Sequence, residues 1–328
     1  GRSAVKVVQV TRGLRASQVS GYASARLPTE ADPPQVATTL VELITEENLA
    51  SDRYLVALST DETFLRRLSF PFSAQRKIAQ VIGFEMEPGL PLPLDEVQVD
   101  FIKAEARQDG THGVLAAAFP KGVLEPWLSA LQEVGIEPEV VDLDGSGLIF
   151  LARELKEQLP ERLVILDVGH SKTNLLYQKQ GKDTYLRSLT IGCDHLARNV
   201  AEVLGISVEE AVGKVVSIGL AEEATSAEHI SLKAALMSEV ELLAREIELS
   251  LMAAQVQDGE SWPELILLSG GGSLIKGLAK ALGETLKIQA LNLLDLENQG
   301  VLKQLGNQIT DPPLFSVAAG LAFRGTSR

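Results

Sequence analysis

The run Leu166-Asp167-Val168-Gly169 closes an apolar stretch with a carboxylate and, two residues on, a glycine. An Asp at the end of a buried strand can hold hydrated Mg²⁺, which keeps its waters and takes few protein ligands. Asp167 is therefore the candidate metal residue. The bend that follows, Gly169-His170-Ser171-Lys172-Thr173, is rich in small and hydroxyl residues. Such a bend can turn backbone N–H groups outward into a concavity that binds phosphates. The same residues also suit an ordinary tight turn, with Asp167 as its cap. A second cluster, Ser269-Gly270-Gly271-Gly272-Ser273, follows the apolar run Leu265-Ile266-Leu267-Leu268. Without Cβ atoms, Gly270, Gly271 and Gly272 allow close approach of a flat ligand. A helix opening directly after them would favour negative charge. The competing reading is a tight strand-to-helix turn.

The chain also repeats itself. Gly1-Arg2-Ser3-Ala4-Val5-Lys6-Val7-Val8 through Gly13 aligns with Gly169-His170-Ser171 through Gly181, matching Gly, Ser and Gly at an offset of 168 residues. A repeat near half the chain length implies two similar lobes, since solenoid units run to roughly 20–50 residues. Two facing lobes make a cleft, the default place for a ligand.

The elements that must position these residues are legible from hydrophobic period and breakers. Strands are expected at Val5–Val10, Gln18–Leu27, Tyr54–Ser59, Phe64–Phe70, Leu163–Val168, Thr173–Gln178, Thr184–Thr190 and Leu265–Ser269. A hairpin is expected from Val97–Arg107 and Val114–Phe119 across Gln108-Asp109-Gly110-Thr111-His112. Helices are expected from Asp32 to Glu47, from Ser73, as cap, to Glu87, and over Lys121–Val134, before the strand Glu139–Leu143. Further helices are expected over Gly147–Leu159, Asp194–Leu204, Ser207–Val216, Ala227–Gln255, Leu274–Leu282 and Phe315–Phe323. In the long one, Leu232, Leu236, Val240, Leu243, Ile247 and Leu251 form a stripe that reads as core-facing.

Of the 328 residues, 45% are hydrophobic and 23% charged, as in an ordinary globular chain. The net charge of −14 disfavours nucleic acid and anionic lipid, which need a basic surface. A single cysteine, Cys193, excludes an internal disulfide and fits a reducing compartment. With one Cys and four His a structural zinc site is not expected. No apolar run approaches the roughly 20 residues of a membrane helix. Gly1 opens almost directly on a strand, without an initiator Met, so a preceding segment is expected.

Taken together, these residues resemble the actin-like ATPase superfamily, and within it the PilM and GspL group. Leu166–Leu175 resembles the group's second phosphate motif, and Arg187-Ser188-Leu189-Thr190-Ile191-Gly192 the strand after it. Leu204-Gly205-Ile206-Ser207-Val208-Glu209-Glu210-Ala211 resembles a characteristic helix start, and Ser269–Ser273 with Gly277 the adenosine motif. Phe70-Pro71-Phe72, Ile82-Gly83-Phe84-Glu85 and Pro91-Leu92-Pro93-Leu94-Asp95-Glu96 resemble its extra subdomain. The resemblance implies an α/β, actin-like (ribonuclease H-like) two-lobed fold with an inserted α+β subdomain. Residues 1–63 would form the first half of lobe I, 64–141 the partner-binding insert, 142–162 a connecting helix and 163–328 lobe II.

The resemblance also implies a nucleotide site. Gly1, Arg2 and Ser3 would form the first phosphate loop, Gly169, Ser171 and Thr173 the second, Gly270, Gly271 and Gly272 the adenosine contact, and Lys214 would reach the nucleoside. ATP with Mg²⁺ is the implied cofactor, kept or lost. Val212 and Gly213 stand where the family has Glu and approaches its Lys. Cys193 replaces a second Gly, and His170 is bulky, so tight nucleotide binding is not expected. No catalytic base is placed, so a scaffold rather than an enzyme is expected. The reading leans to GspL, the type II secretion platform protein that recruits a GspE-like secretion ATPase. The alternatives are a PilM-like ATP-binding protein of type IV pili or an active ATPase or kinase. Expected partners are the secretion ATPase and a PilN- or GspM-like membrane protein, or a second copy of the chain. The expected location is the cytoplasmic side of a bacterial inner membrane.

Overall fold

The computed structural model describes residues 2–13, 17–106, 110–179, 182–220, 226–258, 262–298, 309 and 311–326. Gly1, Gln108, Asp109 and Gly181 lie outside the described residues. The fold is a two-lobed α/β arrangement with an inserted subdomain. Lobe I opens with an antiparallel pair, β1 (Ala4–Arg12) and β2 (Ser17–Arg26). Next comes α1 (Pro33–Glu46), which starts where it does because of a reciprocal cap. The Gln35 amide donates to Asp32 Oδ1, and the Asp32 amide donates to Gln35 Oε1. The strand β3 (Tyr54–Leu58) leads into a short 3₁₀ turn, Thr60–Glu62.

The insert follows as β4 (Phe64–Phe70), α2 (Gln75–Met86), β5 (Val97–Ala106) and β6 (His112–Pro120). Its sheet runs β4-β6-β5. Alternation along β6 gives each face a job. Val114, Ala116 and Ala118 meet Ile78, Ile82 and Met86 of α2 in a core of the insert's own. Leu115 points the other way, toward a cluster that Leu65 and Ile102 also join. α2 starts at Gln75 after Ala74, with no side-chain cap, rather than on Ser73.

The chain then returns to lobe I through α3 (Lys121–Glu133) and β7 (Pro138–Leu143). β7 pairs in parallel with β3. Ala130 and Leu131 of α3 pack with Ala37 and Ile44 of α1. The insert's own core therefore ends with β6, and residues 121–141, read from sequence as part of it, serve lobe I. The next helix, α4 (Asp144–Glu154), begins three residues before the expected Gly147, with Asp144 in its first turn, where an acid suits the dipole.

Lobe II contains β8 (Arg162–Val168), β9 (Thr173–Lys179), β10 (Lys182–Leu189), α5 (Cys193–Leu204), α6 (Val208–Ser217) and α7 (Ala227–Asp258). It continues with β11 (Leu265–Ser269), α8 (Leu278–Leu286), β12 (Gln289–Asn292) and α9 (Leu293–Asn298), and the chain ends in α10 (Pro312–Thr326), which packs on α4 and on β1 and β3 of lobe I. β12 and α9 fall in a stretch with no assignment from sequence. Five strands form one sheet in the order β10-β9-β8-β11-β12. β8 is central, and Leu163 to Leu166 and Val168 are almost wholly buried, which explains their unbroken apolar run. The stripe on α7 is core-facing, with Leu232, Leu236, Val240, Leu243, Ile247 and Leu251 all buried. Lobe I shows the corresponding pairs, β1-β2 and β3-β7, as separate ladders among the described residues.

Behind the lobes, α4 and α10 cross at glycines. A Cβ on Gly320 would lie 1.9 Å from the Gly147 carbonyl oxygen, and one on Gly147 would lie 2.7 Å from that of Val317. The two backbones touch directly at this crossing.

Candidate functional site between the lobes

The sheet brings two of the glycine-bearing bends together. Register pairs Ser269 of β11 with Asp167 of β8, so the triple glycine follows directly beside the Asp167 bend. A Cβ on Gly270 would lie 2.6 Å from the Val168 oxygen and 2.7 Å from Asp167 Oδ1, at a φ of +78°. One on Gly272 would lie 2.3 Å from Val168 Cγ1. Two of the three glycines are thus required by close packing on β8, whereas a Cβ on Gly271 would meet only Leu314 Cδ2, at an ordinary 4.0 Å. The helix expected straight after them is also displaced. A 3₁₀ turn spans Gly271–Leu274, and α8 starts at Leu278, because Gly277 at φ +80° breaks the helical path. No α-helix N-terminus points out of the glycine loop.

The bend after Asp167 is closed on itself, since the Gly169 amide donates to the Lys172 carbonyl at 2.8 Å. Behind it, the amides of Cys193 and Asp194 donate to the Gly169 and His170 carbonyls. The first amides of α5 therefore brace the bend. Gly192 permits this, because a Cβ there would lie 2.5 Å from both His170 O and Lys172 N. Thr173 is fully buried, and its hydroxyl donates to Ile191 O, so it is a strut of the sheet and not a phosphate contact. Ser171 lies at the half-exposed tip.

Besides Arg2 and Asp167, the charges of the cleft come from residues to which the sequence assigned no role. Lys172 is 9% exposed. Its Nζ lies 2.8 Å from Asp144 Oδ2, 3.0 Å from Asp61 Oδ1 and 2.5 Å from Ser59 Oγ. Asp144 Oδ1 meanwhile accepts from the Thr60 amide, the Thr60 hydroxyl and Asn174 Nδ2. Arg2 reaches Asp61 Oδ2 at 3.2 Å, which draws the first segment into the same cluster. Lys6, on β1, faces Asp167 and Cys193. Ser3 is exposed, and its carbonyl accepts from the Leu27 amide. Lys214 pairs with Glu228 at 2.7 Å and lies 3.6 Å from Glu210, so its ammonium is committed to helix acids.

Ionisation follows from these neighbours. Burial pushes the Asp167 carboxyl up, opposed by Lys6 and reinforced by Asp144. Burial also pulls the Lys6 ammonium down, with Asp167 opposing. Burial alone would raise Asp61, but the Ser59 hydroxyl, Lys172 and Arg2 together hold it below the usual carboxylate range. Glu62 is raised by burial and then by Asp61. The Cys193 thiol is pushed up to about 11 by burial and by Asp167.

The residues present do not fit a Mg²⁺ ion bound between these acids. Asp61 and Asp144 share a lysine ammonium, and Asp144 carries three further donors. Asp167 accepts from Ser269 Oγ at 3.2 Å and faces Lys6. Among the described residues no three His, Cys, Asp or Glu side chains converge as a metal-binding group. Nor does any helix among them have the length and apolarity to cross a membrane.

Residues 1–326 match the family described as "Type IV pilus assembly protein PilM". Among solved structures, a chain of the "PilM-PilN type IV pilus biogenesis complex" superposes with a TM-score of 0.80 at 24% identity, covering 100% of this chain and 97% of that one. The ethanolamine utilization protein EutJ from Carboxydothermus hydrogenoformans superposes with a TM-score of 0.53 at 14% identity, covering 98% and 86%. The match falls on the pilus branch of the resemblance, whereas the sequence alone leaned to the secretion branch.

Proposed function

We propose that this chain, which belongs to the type IV pilus assembly protein PilM family, is a non-catalytic adaptor that captures a PilN-type tail at the cytoplasmic face of the inner membrane. The observation that carries this reading is the family match over residues 1–326, insert included. The cleft supports the adaptor reading from its chemistry. Hydrolysis needs a carboxylate free to orient water and a counter-ion for the phosphates. Here Asp61 and Asp144 are both paired with Lys172, Asp167 is buried and accepts from Ser269 Oγ, and Gly169 spends its amide inside its own bend. Nucleotide is therefore dispensable for capture.

The insert is the gripping part. It has its own core, from Phe70 to Ala118, and can be removed without cutting the β3-β7 pair. Replacing residues 64–120 by a short flexible linker is expected to abolish pull-down of an immobilised PilN-type cytoplasmic tail while leaving a cooperative melt. Undiminished capture by the shortened chain would overturn the assignment. Isothermal titration with Mg-ATP is expected to show weak or no binding. Turnover that disappears in Asp167→Ala would replace the adaptor by an ATPase.

A further inference from the structure

We propose that Lys172 is a built-in substitute for a divalent cation, joining the two lobes through the carboxylates of Asp61 and Asp144. Two carboxylates facing each other in a half-buried cleft repel unless a cation lies between them. Here the cation is a side chain. The Lys172 Nζ lies within 3.0 Å of both acids, and its third donor meets Ser59 Oγ. An ammonium has three donors and no acceptor, and all three are used.

The three contacts come from three different segments. Lys172 belongs to the β8–β9 bend of lobe II, Ser59 and Asp61 to the turn after β3 in lobe I, and Asp144 to the first turn of α4. Asp144 Oδ1 is meanwhile held by Thr60 and Asn174, so the acid cannot swing to meet a separate ion. A hydrated Mg²⁺ demands octahedral oxygen ligands at about 2.1 Å, and the ammonium already occupies the space between the acids. The bridge thus needs neither metal nor nucleotide.

The test uses the full chain as wild type, Lys172→Gln and Lys172→Arg, melted in EDTA and in millimolar Mg²⁺, with Mn²⁺ binding followed by electron paramagnetic resonance. The wild type is expected to melt at the same temperature in both buffers and to bind no Mn²⁺ at the cleft. Lys172→Gln is expected to melt about 5 °C lower in EDTA, to recover in Mg²⁺, and to gain one Mn²⁺ site that Asp144→Asn removes. Lys172→Arg should behave as wild type. If Lys172→Gln does not fold, the wild-type titration decides. Mn²⁺ held by wild type and lost in Asp144→Asn overturns the proposal, as does a folded Lys172→Gln that gains no Mn²⁺ site.

Discussion

The behaviour of single residues in the cleft follows from which acid has which cation. Asp61 is held below the usual carboxylate range despite its burial, so the folded state binds fewer protons there than the unfolded chain. Its contribution to stability is present above the ordinary carboxylate pKa of about 4 and is lost as pH falls through the lower folded value. Asp61→Asn is therefore expected to cost on the order of 1 kcal/mol in urea unfolding at pH 7. The difference should shrink as the pH falls through and below that range, and a constant gap would contradict the pairing. Sequence singled out Asp167 as a metal residue, because a carboxylate ending a buried strand before a glycine is a local signal; the structure shows it buried at the end of β8, accepting from Ser269. Sequence missed Lys6, Asp61, Asp144 and Lys172, since their meeting is a tertiary fact with no spacing to betray it. A weak hint existed: Lys6 lies three residues past Ser3, on the strand that the repeat aligns with β9.

Elements were easier to read than their partners. The α7 stripe and the β8 run declared their burial by period alone. The extent of the insert did not, because α3 and β7 follow β6 without a break and only their contacts with α1 and β3 assign them to lobe I. The glycines were misread for a related reason. Three in a row suggest an open ligand platform, yet Gly270 and Gly272 are there so that β11 can lie close on Val168. Gly147, read from sequence only as a helix start, and Gly320 serve as the contact between α4 and α10. Gly320→Ala would press a methyl onto the Gly147 carbonyl and is expected to destabilise by about 3 kcal/mol, at the upper end of the usual overpacking cost. A change below about 0.5 kcal/mol in urea unfolding, within the range of ordinary surface substitutions, would mean that the helices part without penalty.

At the scale of the molecule, the weak repeat falls on strands of both lobes, β1 in the first and β9 in the second. The acidic surface, with a net charge of −14, leaves no general attraction for nucleic acid. It also suits a basic partner segment. The cleft supplies its own reporter. The chain's one thiol, Cys193, sits where a Cβ on Gly272 would come within 3.1 Å of its sulfur, at the seam between α5 and the glycine loop. With its thiol pushed up to about 11, almost none is thiolate at neutral pH, so the closed form should resist alkylation. Iodoacetamide consumption then becomes a clock for how often the seam gapes. It should run slowly in the wild type and faster once position 172 no longer clasps the opposite lobe.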